Sequence, residues 1–214
     1  MAVHRSYITV RPLHMPGCLN CYIYNAMIYL ASQSPRRRSL LKQAGIAFTI
    51  IPGAVNEIPM THESAKEYVN RMSREKAING WESVKTKNLP YYPLLAADTI
   101  VTLHGSIMGK PGNEEQARKM LKTLSGQDHQ VMTAITITNG TQTRSIQVTS
   151  LVKMAALTEN EISAYLQTQE SFDKAGAYAI QGKGALLIES IEGSYSNIVG
   201  LPLRETAQLL SAFS

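Results

Sequence analysis

The chain has 214 residues, 44% hydrophobic and 17% charged, a balance that supports a folded core and excludes a disordered chain. No apolar run is long enough to cross a bilayer as a helix. A formal net charge of +5 suits a polyanionic partner, and nucleotides and nucleic acid fit it equally.

Residues 1–26 contain Arg5 and Arg11, no acidic residue, two prolines and little hydrophobic periodicity. They lack the basic start, apolar stretch and cleavage site of a secretory signal. Cys18 and Cys21 lie here, and with only His14 nearby they fall short of the four ligands of a zinc site. They read as two unrelated thiols. We expect residues 1–26 to be a non-native or disordered extension, Met27 to be the natural start, and 27–214 to form the domain. No cysteine follows Met27, which suits a reducing cytoplasm.

From Ile28 onward strand-like and helix-like segments alternate, the mark of an α/β protein. Residues 28–31 read as a strand. Ser34-Pro35 supplies an N-cap and a proline at the first helical position, and that helix should stop at Gly45. Residues 48–51 give the next strand. Ser64-x-x-Glu67 is a capping box opening a helix with Tyr68, Val69 and Met72 on one face, predicted to end near Gly80.

Residues 94–101 form an almost continuous apolar run, a strand covered on both faces, turned back at His104-Gly105 through residues 106–108. Asn113-x-x-Gln116 caps a helix closed by Gly126. Residues 131–138 and 145–154 read as a hairpin turned at Asn139-Gly140. Thr158-x-x-Glu161 caps another helix. After a glycine-rich stretch at 176–184, residues 185–191 read as a strand, 194–199 stay unassigned, and 203–213 form a last amphipathic helix.

Three features point to chemistry. Ser32-Gln33-Ser34-Pro35-Arg36-Arg37-Arg38 places three arginines at a helix start, where the helix dipole favours an anion and disfavours cations. A bound phosphate resolves the conflict, and a solvated basic turn accounts for the segment equally well. Asp98 interrupts the apolar run, and a carboxylate there needs a metal, a lysine or a local turn to satisfy it. Lys76 follows Met72 by four residues, so helical spacing puts it on the apolar face, either snorkelling or pointing into a cleft. Lys110 lies on a constrained Gly-Lys-Pro turn without the spacing of a P-loop. Glu57 follows a strand and could reach the same crevice as Asp98, although by itself it reads more readily as a surface residue.

Taken together, these segments resemble the Maf family of nucleotide pyrophosphatases. The matching blocks are Leu30-Ala31-Ser32-x-Ser34-Pro35-Arg36-Arg37, Glu57, Arg74-Glu75-Lys76-Ala77, Ala97-Asp98-Thr99-Ile100-Val101, and Gly109-Lys110-Pro111. Leu124-Ser125-Gly126, the run from Asp173-Lys174-Ala175-Gly176 to Ile180-Gln181-Gly182, Gly193-Ser194-Tyr195 and Val199-Gly200-Leu201-Pro202 complete the series in the family's order.

The resemblance implies an elongated two-lobed α/β fold, a mixed sheet flanked by helices with a cleft between the lobes, often as a dimer. It implies hydrolysis of nucleoside triphosphates to monophosphate and pyrophosphate. Ser32, Arg37, Lys76 and Lys110 match phosphate-contacting residues. Glu57 and Asp98 match an acidic pair, with Asp98 as proton acceptor and both as ligands of Mg²⁺ or Mn²⁺. Arg36, Thr99 and Gln181 match the branch acting on dTTP and UTP rather than on 7-methyl-GTP. The rival readings are a basic nucleic-acid-binding module and a silent nucleotide-binding regulator. Dispersed basic residues and an aromatic fraction of 7% count against the first, and the retained Glu57, Lys76 and Asp98 against the second.

Overall fold

The computed structural model describes residues 27–213, so the expected extension, with Cys18 and Cys21, lies outside the described residues. β1 (Met27–Leu30) runs parallel to β2 (Ala47–Ile50) on one side and to the start of β3 (Leu94–Leu103) on the other. Parallel neighbours need crossovers, and α1 (Pro35–Gln43) and α2 (Ala65–Thr86) supply them. From β3 onward the pairing is antiparallel, through β4 (Ser106–Met108), β5 (Asp128–Thr138), β6 (Thr143–Met154) and β7 (Ile188–Glu192). The strand order is β2-β1-β3-β5-β6-β7, with β4 on β3. Four further helices complete the fold: α3 (Glu114–Leu124), α4 (Glu159–Leu166), α5 (Tyr195–Val199) and α6 (Leu203–Leu210).

Local signals set the helix starts. Ser34, Ser64, Asn113 and Thr158 each accept a backbone N–H from the first turn of their helix. The boxes at Ser64/Glu67 and Thr158/Glu161 close in both directions. At Asn113 only the forward bond forms, because Gln116 Oε1 accepts from Gly112 N at 2.8 Å instead.

Several boundaries differ from the expected ones. α2 passes straight through Gly80 to Thr86. A Cβ at Gly80 would lie 2.9 Å from both Ala31 Cβ and Leu94 Cδ1, so this glycine marks where the helix touches the sheet. The hairpin turn spans four residues rather than two, with Asn139 Oδ1 accepting from the backbone N–H of Thr141 and Gln142. The expected strand at 185–191 opens as a 3₁₀ turn over Gly182–Leu187 before β7. Residues 194–199 fold as α5 behind an N-cap at Ser194, and the last helix tightens into a 3₁₀ turn at Ser211–Phe213.

Two lobes meet on β3. In one, Leu121, Leu124, Val152, Ile162 and Leu166 pack with Val101 and Leu103 of that strand. In the other, Leu30, Leu41 and Ile135 gather around Leu95, while Tyr29, Trp81 and Val84 gather around Leu94 under α2. β1 pairs with β3 only at Leu94 and Leu95, and β4 joins the same edge only from Val101. Between them, residues 96–100 have no strand neighbour on that side among the described residues. The cleft opens at this gap. No helix among the described residues is long and apolar enough to cross a membrane.

A buried pair ties β5 to the chain beyond α4. His129 Nε2 lies 2.6 Å from Tyr178 Oη with the rings edge-on, and both side chains are buried. Burial holds the imidazole down at about 4, against the pull of Asp128, from an ordinary value of 6.5. Between those values the unfolded chain takes up a proton that the native protein refuses, so stability falls as pH drops below 6.5. Unfolding in urea from pH 7.5 to 5 should show an acid loss of up to about 2 kcal/mol. His129→Gln should flatten that loss, and an unchanged slope would remove His129 as its source.

Candidate active site

The cleft encloses about 510 Å³, and Ser32, Arg36, Arg37, Glu57, Lys76, Asp98, Thr99, Lys110 and Gln181 all line it. Ser32, Arg36 and Arg37 come from the end of β1 and the start of α1, and Glu57 from the loop after β2. Lys76 comes from α2, Asp98 and Thr99 from β3, Lys110 from the turn after β4, and Gln181 from the segment before the 3₁₀ turn.

The acidic pair and Lys76 form one cluster. Lys76 Nζ lies 2.6 Å from Asp98 Oδ1 and 2.6 Å from Glu57 Oε1. The lysine therefore points into the cleft rather than snorkelling away. Its side chain and that of Asp98 are nearly buried, whereas Glu57 is 49% exposed at the mouth. Asp98 Oδ2 accepts no hydrogen bond from the described residues. Partial burial pushes the Glu57 carboxyl up, yet the Lys76 bond and the charges of Lys76, Lys110 and Arg37 outweigh it and leave the group below its ordinary value.

Side chains of α2 fix the loop that carries Glu57. Tyr68 Oη donates to Glu57 O at 3.1 Å, Arg71 to Ile58 O at 3.1 Å, and Asn79 to Ala54 O at 2.9 Å. Burial, with the nearby charges of Asp98 and Glu57, pushes the Tyr68 phenol up to about 12, so it stays a donor. Arg71 is itself clamped by Glu63 at 2.6 Å. Gly53 lets this loop pass under the helix, since a Cβ there would stand 2.8 Å from Ala31 Cβ and 3.0 Å from Lys76 O.

The three arginines at the start of α1 separate. Arg37 is buried and donates to three neutral acceptors: Gly200 O at 2.8 Å, Ser32 Oγ at 3.1 Å and Thr99 Oγ1 at 3.0 Å. Burial draws its guanidinium below its ordinary value, with Arg36 adding to this and Asp98 and Glu57 opposing it; the group remains charged. Arg36 instead reaches Asp173 of the other lobe at 3.3 Å. Arg38 is not part of the cleft lining.

Sequence reasoning missed several contributors. Asp173 and Lys174 line the cleft and pair with each other, and Tyr178, Ala179 and Ile180 form the wall beside Gln181. The Gly200 carbonyl that anchors Arg37 is a backbone group, which no residue type announces. Asp173 and Lys174 stood inside a matching block, and their adjacent opposite charges were the one signal that could have drawn notice. Among the described residues no three His, Cys, Asp or Glu side chains cluster for a metal. Glu57 and Asp98 both reach one ammonium, which places them within reach of one cation.

Residues 27–213 match the family described as Maf-like protein. A dTTP/UTP pyrophosphatase of Nitrosomonas europaea is 50% identical over 191 residues, covering 86% of this chain and 92% of its own. The proteins of that name in Nitrosospira multiformis and Pseudoalteromonas atlantica are 49% and 48% identical, covering 92% and 97% of their own lengths and 86% and 88% of this chain.

Removing Lys76 should leave the Asp98 charge unpaired where it is nearly buried. Lys76→Met is expected to lower stability by about 3 kcal/mol in urea unfolding at pH 7, the scale of breaking a buried pair from one side. Adding Asp98→Asn should recover part of that loss. A double variant as unstable as the two losses added together would show that the pair does not act as a unit.

Proposed function

The chain belongs to the Maf family, and from that membership we propose that it hydrolyses nucleoside triphosphates, dTTP and UTP foremost, to the monophosphate and pyrophosphate. The observation that carries this reading is the bridging of Asp98 and Glu57 by Lys76 in a cleft that also holds Arg37 and Lys110. A triphosphate repels an attacking nucleophile until its charge is offset, and cations already in place do this most effectively. Arg37, with only neutral partners, keeps its full charge for phosphate oxygens. Lys110 faces the mouth, where it meets the outer phosphates. Ser32 adds a hydroxyl donor beside Arg37.

Asp98 is the proton acceptor in this reading. Its Oδ1 is held by Lys76, which leaves Oδ2 to orient a water and take its proton as the oxygen attacks phosphorus. Pyrophosphate then leaves among the basic groups. Glu57 and Asp98 would hold Mg²⁺ or Mn²⁺, hard cations that suit two carboxylates completed by phosphate oxygens and water. When bound there, such an ion would supply positive charge against the charge developing on the phosphates. A cytoplasmic setting belongs to the same reading.

Base choice rests on Arg36, Thr99 and Gln181, all in the cleft lining. The Gln181 amide both donates and accepts, which matches the O4 and N3–H edge of uracil or thymine. A pocket built on such bonds rejects ligands that leave its polar groups unpaired.

Pyrophosphate release should be measured with Mg²⁺ and a panel of dTTP, UTP, dATP, GTP and 7-methyl-GTP. The highest kcat/KM is expected for dTTP and UTP, and equal values across the panel would sink the base assignment. Asp98→Asn should keep its circular dichroism yet lose about two orders of magnitude or more in kcat. Near-normal turnover would remove Asp98 from the chemistry.

A further inference from the structure

Thr99 and Thr133 face each other directly across β3 and β5, and their hydroxyl oxygens are 2.9 Å apart. Thr133 is fully buried and does not line the cleft, whereas Thr99 does. Two fixed groups stand at the ends of this pair. Arg37 donates to Thr99 Oγ1 at 3.0 Å, and a guanidinium has no acceptor to offer. The backbone carbonyl of Asn197 lies 2.9 Å from Thr133 Oγ1, and a carbonyl has no proton to give.

Each hydroxyl carries one proton, so the direction of the whole chain follows. Thr133 gives its proton to Asn197 O. It then meets Thr99 only as an acceptor, and Thr99 gives its proton inward to Thr133. The other inward partner of Thr99, Gly200 O, lies farther away at 3.4 Å and is the weaker acceptor. The far end does not drift, because the Asn197 amide donates to Val131 O at 3.0 Å and Ser150 Oγ at 2.9 Å. Asn197 is itself fully buried.

We propose that Thr133 is a positioning residue that commits the Thr99 hydroxyl proton inward, so that Thr99 meets the nucleotide only as an acceptor. This rests on the pyrimidine triphosphate reading and deepens it. An acceptor at that point joins the Gln181 amide oxygen in facing the protonated N3–H of uracil or thymine. Cytosine carries a lone pair at N3, which faces the Thr99 lone pair and leaves both unpaired. The buried threonine thereby sets selection for a base that donates at N3 without touching the base.

The test is the ratio of kcat/KM for UTP over CTP in Thr133→Val, Thr133→Cys and Thr133→Ser. Losing the inward acceptor frees the Thr99 proton to enter the cleft. Thr133→Val should then raise KM for UTP and lower the UTP/CTP ratio by about fivefold, the scale of one hydrogen bond, with kcat little changed. Thr133→Ser should restore the ratio. Thr99→Val/Thr133→Val should discriminate no worse than Thr99→Val alone. If Thr133→Val fails to fold, the nearly isosteric Thr133→Cys, a weak partner, should shift the ratio the same way. A lower melting temperature with an unmoved ratio would make Thr133 merely structural and overturn the inference. Lack of UTP hydrolysis or of any base preference in the unmodified protein would instead overturn the reading beneath it.

Discussion

Asp98 stands in a strand whose neighbours are almost all buried, and a carboxylate in that position must be offset by a cation or lose its charge. Lys76 provides the offset, and much of the architecture follows from bringing it there. α2 has to lie close on the sheet, which Gly80 permits by its contact with Ala31 and Leu94. Buried hydroxyls hold the helix down, with Ser73 Oγ 2.9 Å from Thr136 Oγ1. Once seated, the helix uses Tyr68, Arg71 and Asn79 to gather the loop after β2, and Glu57 arrives at the other side of the ammonium. A structural need for neutralisation and a chemical arrangement of two carboxylates around a cation are met by the same three side chains.

The cations of the cleft differ in how they are held. Lys76 and Arg36 are paired with carboxylates, so part of their charge is already answered within the protein. Arg37 is held by a carbonyl and two hydroxyls, which fix its plane without neutralising it. An anion entering the cleft therefore meets one guanidinium that is oriented in advance and still fully charged, the condition under which fixed dipoles and charges act most strongly. The burial of this group raises its electrostatic reach, because less water screens it.

Much of this was legible in the sequence where one residue type in one local pattern suffices. Three helix caps and the placing of Lys76 on the apolar face of its helix follow from spacing of three or four residues, the Ser34 cap from the proline behind it, and the strand interrupted by Asp98 from its apolar run. Gly80 was misread because glycine signals a helix end locally, and only the facing Ala31 and Leu94 make it a contact point. Glu57 resembled a surface residue because its placement depends on α2 side chains that lie up to two dozen residues away. The hydroxyl chain from Thr99 through Thr133 to Asn197 was invisible, since threonine alternation on a strand looks the same whether or not its protons are aligned.

Arg37 Nε and its acceptor on Gly200 are 163 residues apart, so the start and the end of the domain share a single bond at the centre of the cleft. Chain synthesis proceeds from the N-terminus, and β1, α1 and β3 emerge long before Gly200 does. Contacts of such sequence separation form late and slowly. Until they form, the arginine at the head of α1 has no carbonyl to set its plane, and the cleft has no wall behind Thr99. A nascent chain on the ribosome thus carries nearly all the polar groups of the site without their arrangement. The site is complete only with the segment that carries Gly200 in place.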